Sequence, residues 1–268
     1  MNEPVRPETL ALDALIEKTV VQAASAARHE PPVAPLFEVR NFYNPERRSA
    51  INTVPGLIGV ILTMTMTMFT AVAIVRERER GNLELLITTP VRSSELMLAK
   101  ILPYVLIGLI QVTLVLLLGK FLFQVPLRGT LLNVYIVSLL FVVANLALGL
   151  VASTIAQTQF QAMQMTFFVL LPSILLSGFV FPFDGMPLAA QWIAEVLPMT
   201  HFMRLIRGVV LRGAELWELR GELAALGGFL LVALTVAVRR FDKTLSKLRR
   251  KLEAGGVRFV DGGIVGGP

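Results

Sequence analysis

Two long stretches without a charged residue bracket a charged segment at residues 76–100, and this contrast limits the possible folds more than any other feature. Residues 49–75 and 101–119 contain no Asp, Glu, Lys or Arg. A helix needs about 20 apolar residues to cross roughly 30 Å of hydrocarbon, and both stretches are long enough. No charge occurs between Arg128 and Asp184 either, where a soluble helix pair would need a polar face. The sequence therefore predicts an all-α polytopic membrane protein.

Hydropathy predicts five transmembrane helices and two further kinds of segment. Residues 1–53 are polar and mixed, with a helix expected at about 8–27, and form the stub of an extramembrane domain. Residues 178–212 are too apolar for a free loop and too interrupted by proline for a full crossing, so a re-entrant external helix pair is expected there. The five predicted spans cover about residues 54–75, 101–123, 131–156, 163–181 and 223–238.

Basic residues orient these spans. The segment 76–100 carries five Lys or Arg, and residues 239–251 carry seven. Such residues concentrate on the cytoplasmic side, which predicts an external N-terminal stub and a cytoplasmic C-terminus. Residues 241–268 would form a cytoplasmic basic tail whose glycine-rich end is expected to be disordered. The net charge of +6 is explained by this topology, so no nucleic acid partner is expected.

Composition argues against several classes of site. The chain has no cysteine and only two histidines, His29 and His201, which disfavours disulfides, thiolate sites and histidine metal clusters. No loop of the form Gly, four residues, Gly, Lys, Ser or Thr occurs to cradle phosphate. Carriers driven by protons or sodium ions usually place ionisable groups or broken helices inside the membrane, and these spans hold only neutral polar groups such as Thr65, Gln111 and Asn145. Energy is therefore expected to come from another polypeptide.

The charged segment itself has an amphipathic pattern. Leu83, Leu86 and Ile87 fall on one face of a short helix, Thr89–Pro90 breaks it, and Ser93 or Ser94 can cap a second short helix that ends at Lys100. The alternative is an ordinary solvated loop between two spans. A connecting loop needs only a few residues, however, and the apolar positions of this one would be exposed without a partner.

Four ordered motifs resemble the type-2 permease family of ATP-binding-cassette (ABC) exporters over residues 39–240. They read YNPERRSAINTVPGLIGVILTM, RERERGNLELLITTPVRSSELMLAKILPYVLIG, LLPSILLSGFVFPFDGMP and LPMTHFMRLIRGVVLRG. The resemblance implies six spans, a large external domain after the first span and a cytoplasmic coupling helix between the second and third. This sequence lacks the first span and most of the external domain, so residues 1–53 would be a remnant of that domain.

The resemblance also implies site residues and partners. A separate ABC ATP-binding subunit, holding ATP and Mg, would dock on the coupling segment 76–100, while this chain would hold no cofactor. The permease would work as a homodimer or heterodimer among the lipids of the bacterial inner membrane. The implied coupling residues are Glu79, Leu83, Glu84, Leu86, Ile87, Thr89, Pro90, Val91 and Arg92; the implied external gate residues are Phe179, Phe181, Pro182, Pro187, Pro198, His201, Arg204 and Arg207.

Several alternatives stay open at this point. The three basic gate residues equally suit anchoring to lipid headgroups. The alternating Thr and Met residues at 63–68 suit either an adaptable surface for amphipathic substrates or simple helix packing. The whole chain could also be a non-transporting membrane scaffold or a degenerate, truncated subunit, and its substrate is not determined by the sequence.

Overall fold

The structure is a computed structural model that describes residues 14–23, 49–80, 93–254, 258–260 and 263–265. The chain divides into two units, residues 1–42 and 43–268, which are considered separately. In the first unit, residues 14–23 are helical and exposed, within the helix expected at 8–27.

The second unit consists of seven described helices and two short strands. Five of these helices, α1, α2, α3, α4 and α7, are long and apolar enough to cross a membrane, which confirms the predicted number of spans within the described residues. The helices are α1 (Ser49–Glu79), α2 (Ser93–Phe121), α3 (Leu131–Ile155), α4 (Gln159–Leu176), α5 (Leu188–Val196), α6 (Pro198–Arg207) and α7 (Arg220–Ala254); the strands are β1 (Arg258–Val260) and β2 (Gly263–Val265).

Helix α4 begins four residues earlier and ends five residues earlier than the span predicted at 163–181. Its start is fixed by Thr158, whose hydroxyl oxygen accepts a hydrogen bond from the backbone N–H of Gln161 at 3.2 Å. Its end is followed by Gly178 at φ 81°, a left-handed conformation that glycine adopts without the clash of a Cβ atom. Sequence patterning missed both limits because the apolar run continues past Gly178.

Three other helices are longer than predicted, and the first is α1, which covers Ser49–Glu79 instead of 54–75. Residues 93–100 are the first turns of α2, so the separate short helix expected there is continuous with the span, and Pro103 lies inside it. Proline is tolerated in such helices because neighbouring groups satisfy the freed carbonyl. Helix α7 continues through the basic residues to Ala254. Beyond it, β1 and β2 pair antiparallel within the segment that was expected to be disordered.

The closest helix packing joins α1 to α3. A Cβ atom at Gly149 of α3 would lie 2.6 Å from the carbonyl oxygen of Thr67 and 2.8 Å from the Cβ of Thr70. Glycine therefore lets the two backbones approach at this point, as small residues do in membrane helix pairs. The buried core contains side chains from both helices, including Ile58, Leu62 and Met66 of α1 and Phe141 of α3.

Some polar side chains inside the spans make hydrogen bonds within the bundle. The Thr67 hydroxyl donates to the Asn145 backbone carbonyl at 3.4 Å, and the Asn145 amide donates to the Phe141 carbonyl at 2.9 Å. Thr65 donates to the Gln111 side-chain oxygen at 2.9 Å, which joins α1 to α2. Unsatisfied polar groups are costly in hydrocarbon, so these pairs stabilise the bundle and fix the register of its helices.

Helix α6 is buried in the bundle although it is only ten residues long. The ring of Phe202 stacks on Phe141 of α3, with ring centroids 4.0 Å apart and an angle of 12° between the planes. A Cβ added at Gly59 of α1 would lie 3.2 Å from the Phe202 ring, so a small residue there makes room for it. Helix α5, by contrast, has a single buried residue, Ala194.

We expect Gly149→Ala to destabilise the bundle by about 1–3 kcal/mol, the usual range for overpacking, because the added methyl group meets the backbone of α1. Thermal unfolding in detergent micelles measures the effect. Gly228→Ala in α7 is the matched control, since no atom lies within 4 Å of the added Cβ. Equal melting temperatures for the two variants would contradict the close packing of α1 on α3.

Candidate functional site

Two polar groups of residues lie at opposite ends of the bundle. The basic end comprises residues 76–80, where α1 stops, and residues 156–159, where α3 passes into α4. The opposite end comprises residues 177–222, with α5 and α6. Each group joins segments that are far apart in sequence, so each can influence how the helices move relative to one another.

Prolines begin the elements of the opposite end. Pro182 precedes a 3-10 turn at Phe183–Gly185, and its carbonyl accepts from the N–H of Gly185 at 3.2 Å. Pro187 precedes α5, and Pro198 is the first residue of α6. Proline suits the first turn of a helix because its missing N–H would have no partner there and its φ is already helical. The sequence interpretation that prolines shape this segment is consistent with these positions.

An ionic group, here called the outer cluster, joins α5, α6 and α7. It consists of Glu195, His201, Arg204 and Glu222. Arg204 donates to Glu195 at 2.5 Å and to Glu222 at 3.1 Å. Its guanidinium also lies 4.4 Å from the centroid of the Phe183 ring. Arg204 of α6 therefore contacts both the end of α5 and the start of α7, and it also contacts the 3-10 turn at Phe183–Gly185.

His201 is the buried member of the cluster, with 7% of its surface exposed. Its Nδ1 lies 2.6 Å from a carboxylate oxygen of Glu222, and its Nε2 lies 2.9 Å from the backbone carbonyl of Glu195. Carboxylate and carbonyl oxygens accept hydrogen bonds, so this geometry suits an imidazolium that donates from both nitrogens. The cluster then contains two positive and two negative groups.

Burial and pairing shift the pKa values of charged groups at this end of the bundle. The hydrogen bond from Arg204, helped by the positive charges of Arg204 and His201, lowers the pKa of Glu195 although partial burial opposes it. Burial lowers the pKa of Arg207. Arg207 donates to the carbonyl of Gly178 at 3.0 Å, while its Nε is buried without a hydrogen-bond partner. Arg207 thus holds the turn that ends α4.

The predicted gate residues separate into two sets. Phe179, Pro198, His201, Arg204 and Arg207 are buried or half-buried and contact the bundle, with Phe179 directed at Gly56 of α1. Three others, Phe181, Pro182 and Pro187, are exposed on the same segment. The basic residues that could have anchored to lipid headgroups are engaged with protein partners.

Three residues at the end of α1 hold the connection between α3 and α4, an arrangement here called the basic clasp. Arg78 donates to the carbonyl of Ala156 at 3.0 Å, and the Nε of Arg76 donates to the side-chain oxygen of Gln159 at 3.1 Å. Glu79 accepts from the backbone N–H of Gln159 at 2.9 Å and also from the Gln159 side-chain amide. Three hydrogen bonds therefore fix the last turn of α1 to the first residue of α4, and a fourth fixes it to the end of α3.

Of the predicted coupling residues, the structure describes Glu79, which belongs to the basic clasp. Its carboxylate accepts a hydrogen bond from the backbone N–H of Gln159. Sequence reasoning missed the clasp partners Arg76, Arg78 and Gln159, and it missed Glu195 and Glu222 of the outer cluster. A charged residue at a span boundary signals such contacts, but no pattern shows its partner. The other predicted coupling residues lie outside the described residues: Leu83, Glu84, Leu86, Ile87, Thr89, Pro90, Val91 and Arg92.

A cavity of about 350 Å³ opens beside the basic clasp. Its walls include Phe69, Tyr104 and Met163, with Arg76 at the rim. Within the row of Thr and Met residues at 63–68, Met68 lines this cavity, whereas Thr63, Met66 and Thr67 are buried in helix packing. Across the described residues, no group of three His, Asp or Glu side chains is arranged to hold a metal ion.

Several known proteins have sequences similar to this chain. The chain is 36% identical to YbhS of Escherichia coli (strain K12), a probable multidrug ABC transporter permease, over 67% of this chain and 48% of that protein. It is 33% identical to YhhJ of the same strain, an inner membrane transport permease, over 83% of this chain and 60% of that protein. It is 27% identical to ABC transporter G family member 20 of Dictyostelium discoideum, over 75% of this chain and 28% of that protein.

These relatives are longer than the present sequence, which spans about half the length of YbhS. A family model, ABC-2 type transporter, matches residues 34–211 and so covers α1 to α6, with the basic clasp and all of the outer cluster except Glu222. That match takes in most of the chain and four of the five candidate spans of the bundle. The chain belongs to the ABC-2 type transporter family.

Proposed function

We propose that this chain is the permease subunit of an ATP-driven exporter in the bacterial inner membrane. Family membership, with relatives named as multidrug or inner membrane transport permeases, is the observation that carries the proposal. In this proposal, a separate ABC ATP-binding subunit binds and hydrolyses ATP with Mg. Two permease subunits enclose the translocation path, which lies between them. The C-terminal tail lies on the cytoplasmic side.

The contact with the ATP-binding subunit is proposed at residues 81–92. This segment links the end of α1 to the start of α2 and carries Leu83, Leu86 and Ile87 at helical spacing. Apolar side chains on one face of a short connection need a partner surface. A groove on the ATP-binding subunit would bury them, and its movement on ATP binding would then displace the adjoining ends of α1 and α2.

We expect Leu86→Asp to uncouple ATP hydrolysis from transport. Losing the burial of a leucine side chain costs about 1.5–3 kcal/mol, and an ionised carboxylate in its place is disfavoured further, so docking would weaken about tenfold or more. Reconstituted proteoliposomes containing the full-length permease and its ATPase would report ATP-dependent transport of a fluorescent dye and phosphate release together. The transport rate should fall by at least the same factor as the docking affinity, while the ATPase keeps its basal rate of phosphate release.

Thr88→Asp is the control, because it adds the same charge to the opposite side of the predicted helix. It should transport as the unsubstituted protein does. If both variants transported equally well, the proposed contact would be wrong. If no ATPase co-purified with the full-length permease under mild extraction, the proposal of a separate energy-supplying subunit would itself fail.

The outer cluster is proposed to hold the external mouth of the path closed. Arg204 and His201 link α5, α6 and α7, and Phe183 packs under Arg204, so separating these elements breaks several charged contacts at once. Arg207 donates a hydrogen bond to the carbonyl of Gly178, so the turn after α4 is also held in the closed arrangement. Opening the mouth would require these contacts to be exchanged for water or for contacts with a substrate.

We expect Glu195→Gln to reduce stability at neutral pH and to have less effect in acid. Arg204 depresses the Glu195 pKa in the folded chain, so its stabilisation is complete above the unfolded pKa of about 4.3. That stabilisation is lost as the pH falls through the lower folded pKa. Because the Glu195 side chain is 41% exposed, the effect at pH 7 should be about 0.2–1 kcal/mol.

Thermal unfolding in detergent at pH 7 and at about pH 4 and below would measure this difference. Glu218→Gln is the matched control, since Glu218 is an exposed acid between α6 and α7 that is not part of the cluster. A loss of stability for Glu195→Gln that stayed constant across this pH range would show that its charge does not stabilise the closed arrangement.

A further inference from the structure

Glu79 acts as a cap for a helix to which it does not belong. The first backbone N–H groups of a helix have no partner within it. In α4, the N–H of Gln161 is satisfied by Thr158, and the N–H of Gln159 is satisfied by the Glu79 carboxylate at 2.9 Å. A negative charge at a helix N-terminus is also favoured by the helix dipole. The first turn of α4 is therefore completed by the last turn of α1.

The rest of the clasp prevents the two helix ends from sliding past each other. Arg76 donates a hydrogen bond to the side-chain oxygen of Gln159, and Glu79 accepts one from the side-chain nitrogen of the same residue. Arg78 donates a hydrogen bond to the backbone carbonyl of Ala156. The backbone N–H of Ala156 in turn donates to the carbonyl of Ala152 and closes the last turn of α3. Ala156 is fully buried, so this part of the clasp is shielded from water.

Helix α4 is suited to carry a displacement across the membrane. Only 22% of its candidate span is buried, compared with 61% for α1 and for α3, so few packed side chains resist its movement. Its 18 residues span roughly 27 Å at 1.5 Å per residue. Its far end leads directly to Gly178, whose carbonyl is bound by Arg207 of α6. One helix thus connects the basic clasp to the outer segment.

We propose that Glu79 and Gln159 are positioning residues that make α4 follow the coupling segment. This inference rests on the proposed function, because it needs the segment after Arg80 to be moved by an ATPase. Displacement of that segment shifts the end of α1, the clasp shifts the first turn of α4, and α4 shifts the turn at Gly178–Phe179. The outer cluster is then opened or closed from the opposite side of the membrane.

These 268 residues contain no cysteine, so a thiol introduced among them is the only one in this part of the permease. Val180→Cys places the thiol just beyond α4, at a residue that is 50% exposed. A membrane-impermeant maleimide is added to the full-length permease assembled with its ATPase, with and without ATP and vanadate. Leu122→Cys, 69% exposed after α2, is the control for access of the reagent.

We expect ATP and vanadate to change the labelling rate at Val180→Cys and Glu79→Ala to abolish most of that change while ATP hydrolysis continues. Glu79→Gln should retain part of it, because its side-chain oxygen can still accept from the Gln159 N–H. Gln157→Ala should retain all of it, since the bond from Gln157 to Gln161 uses the backbone N–H of Gln157. A full nucleotide-dependent change in Glu79→Ala would overturn the inference.

Failure of the proposed function would be visible separately. It would appear as no ATP hydrolysis and no labelling change in the assembly that carries Val180→Cys alone. Hydrogen exchange measured on the permease then tests the basic clasp. Glu79→Ala should speed exchange of the backbone N–H of Gln159 about two- to tenfold, as expected for the loss of one or two hydrogen bonds. Unchanged exchange at that amide would overturn the clasp whatever the energy source.

Discussion

The close approach of α1 and α3 is the contact on which the other features depend. Gly149 lets the backbones meet at Thr67 and Thr70, and the hydrogen bond from Thr67 to Asn145 sets their register. That register brings Arg78 to the carbonyl of Ala156 at one end of the pair. Towards the other end, it leaves the space in which Phe202 of α6 stacks on Phe141. The basic clasp therefore depends directly on this helix pair, and the outer cluster depends on it through α6, whose Phe202 packs on Phe141.

The two ends use charge differently because their surroundings differ. At the basic clasp, the partners of the charged groups are backbone atoms and a neutral amide, so the contact fixes geometry with little ionic attraction. At the outer cluster, Arg204 lies between two carboxylates and His201 supplies a further positive group. Such a network holds three elements together but can reopen when water or another ion replaces a partner.

Sequence patterning found the spans because lipid demands long, uncharged helices, and a run of that length is rare in soluble proteins. It placed α3 within one residue at each end, since Thr130 and Ala156 bracket the apolar run. It misplaced both ends of α4, where capping by Thr158 and the left-handed Gly178 decide the limits rather than hydropathy. It identified His201, Arg204 and Arg207 as a group from their spacing, but their acidic and backbone partners come from other elements. Spacing within one helix cannot reveal contacts that depend on how helices pack.

The contrast between α3 and α4 explains why a signal would pass along the less buried helix. Helix α3 contacts α1 and α7 and is filled with buried side chains, so moving it would disturb the whole core. Helix α4 has four buried residues, two of them the small polar side chains of Thr166 and Ser173, whose hydroxyls bond within the helix itself. Shifting α4 therefore exposes little apolar core, although α4 is packed on α1. In the proposed coupling, α4 carries a displacement from its first turn, held by Glu79, to the turn after its last residue, held by Arg207. Pro172 interrupts one backbone hydrogen bond of α4, so bending of this helix is expected to be concentrated near that residue.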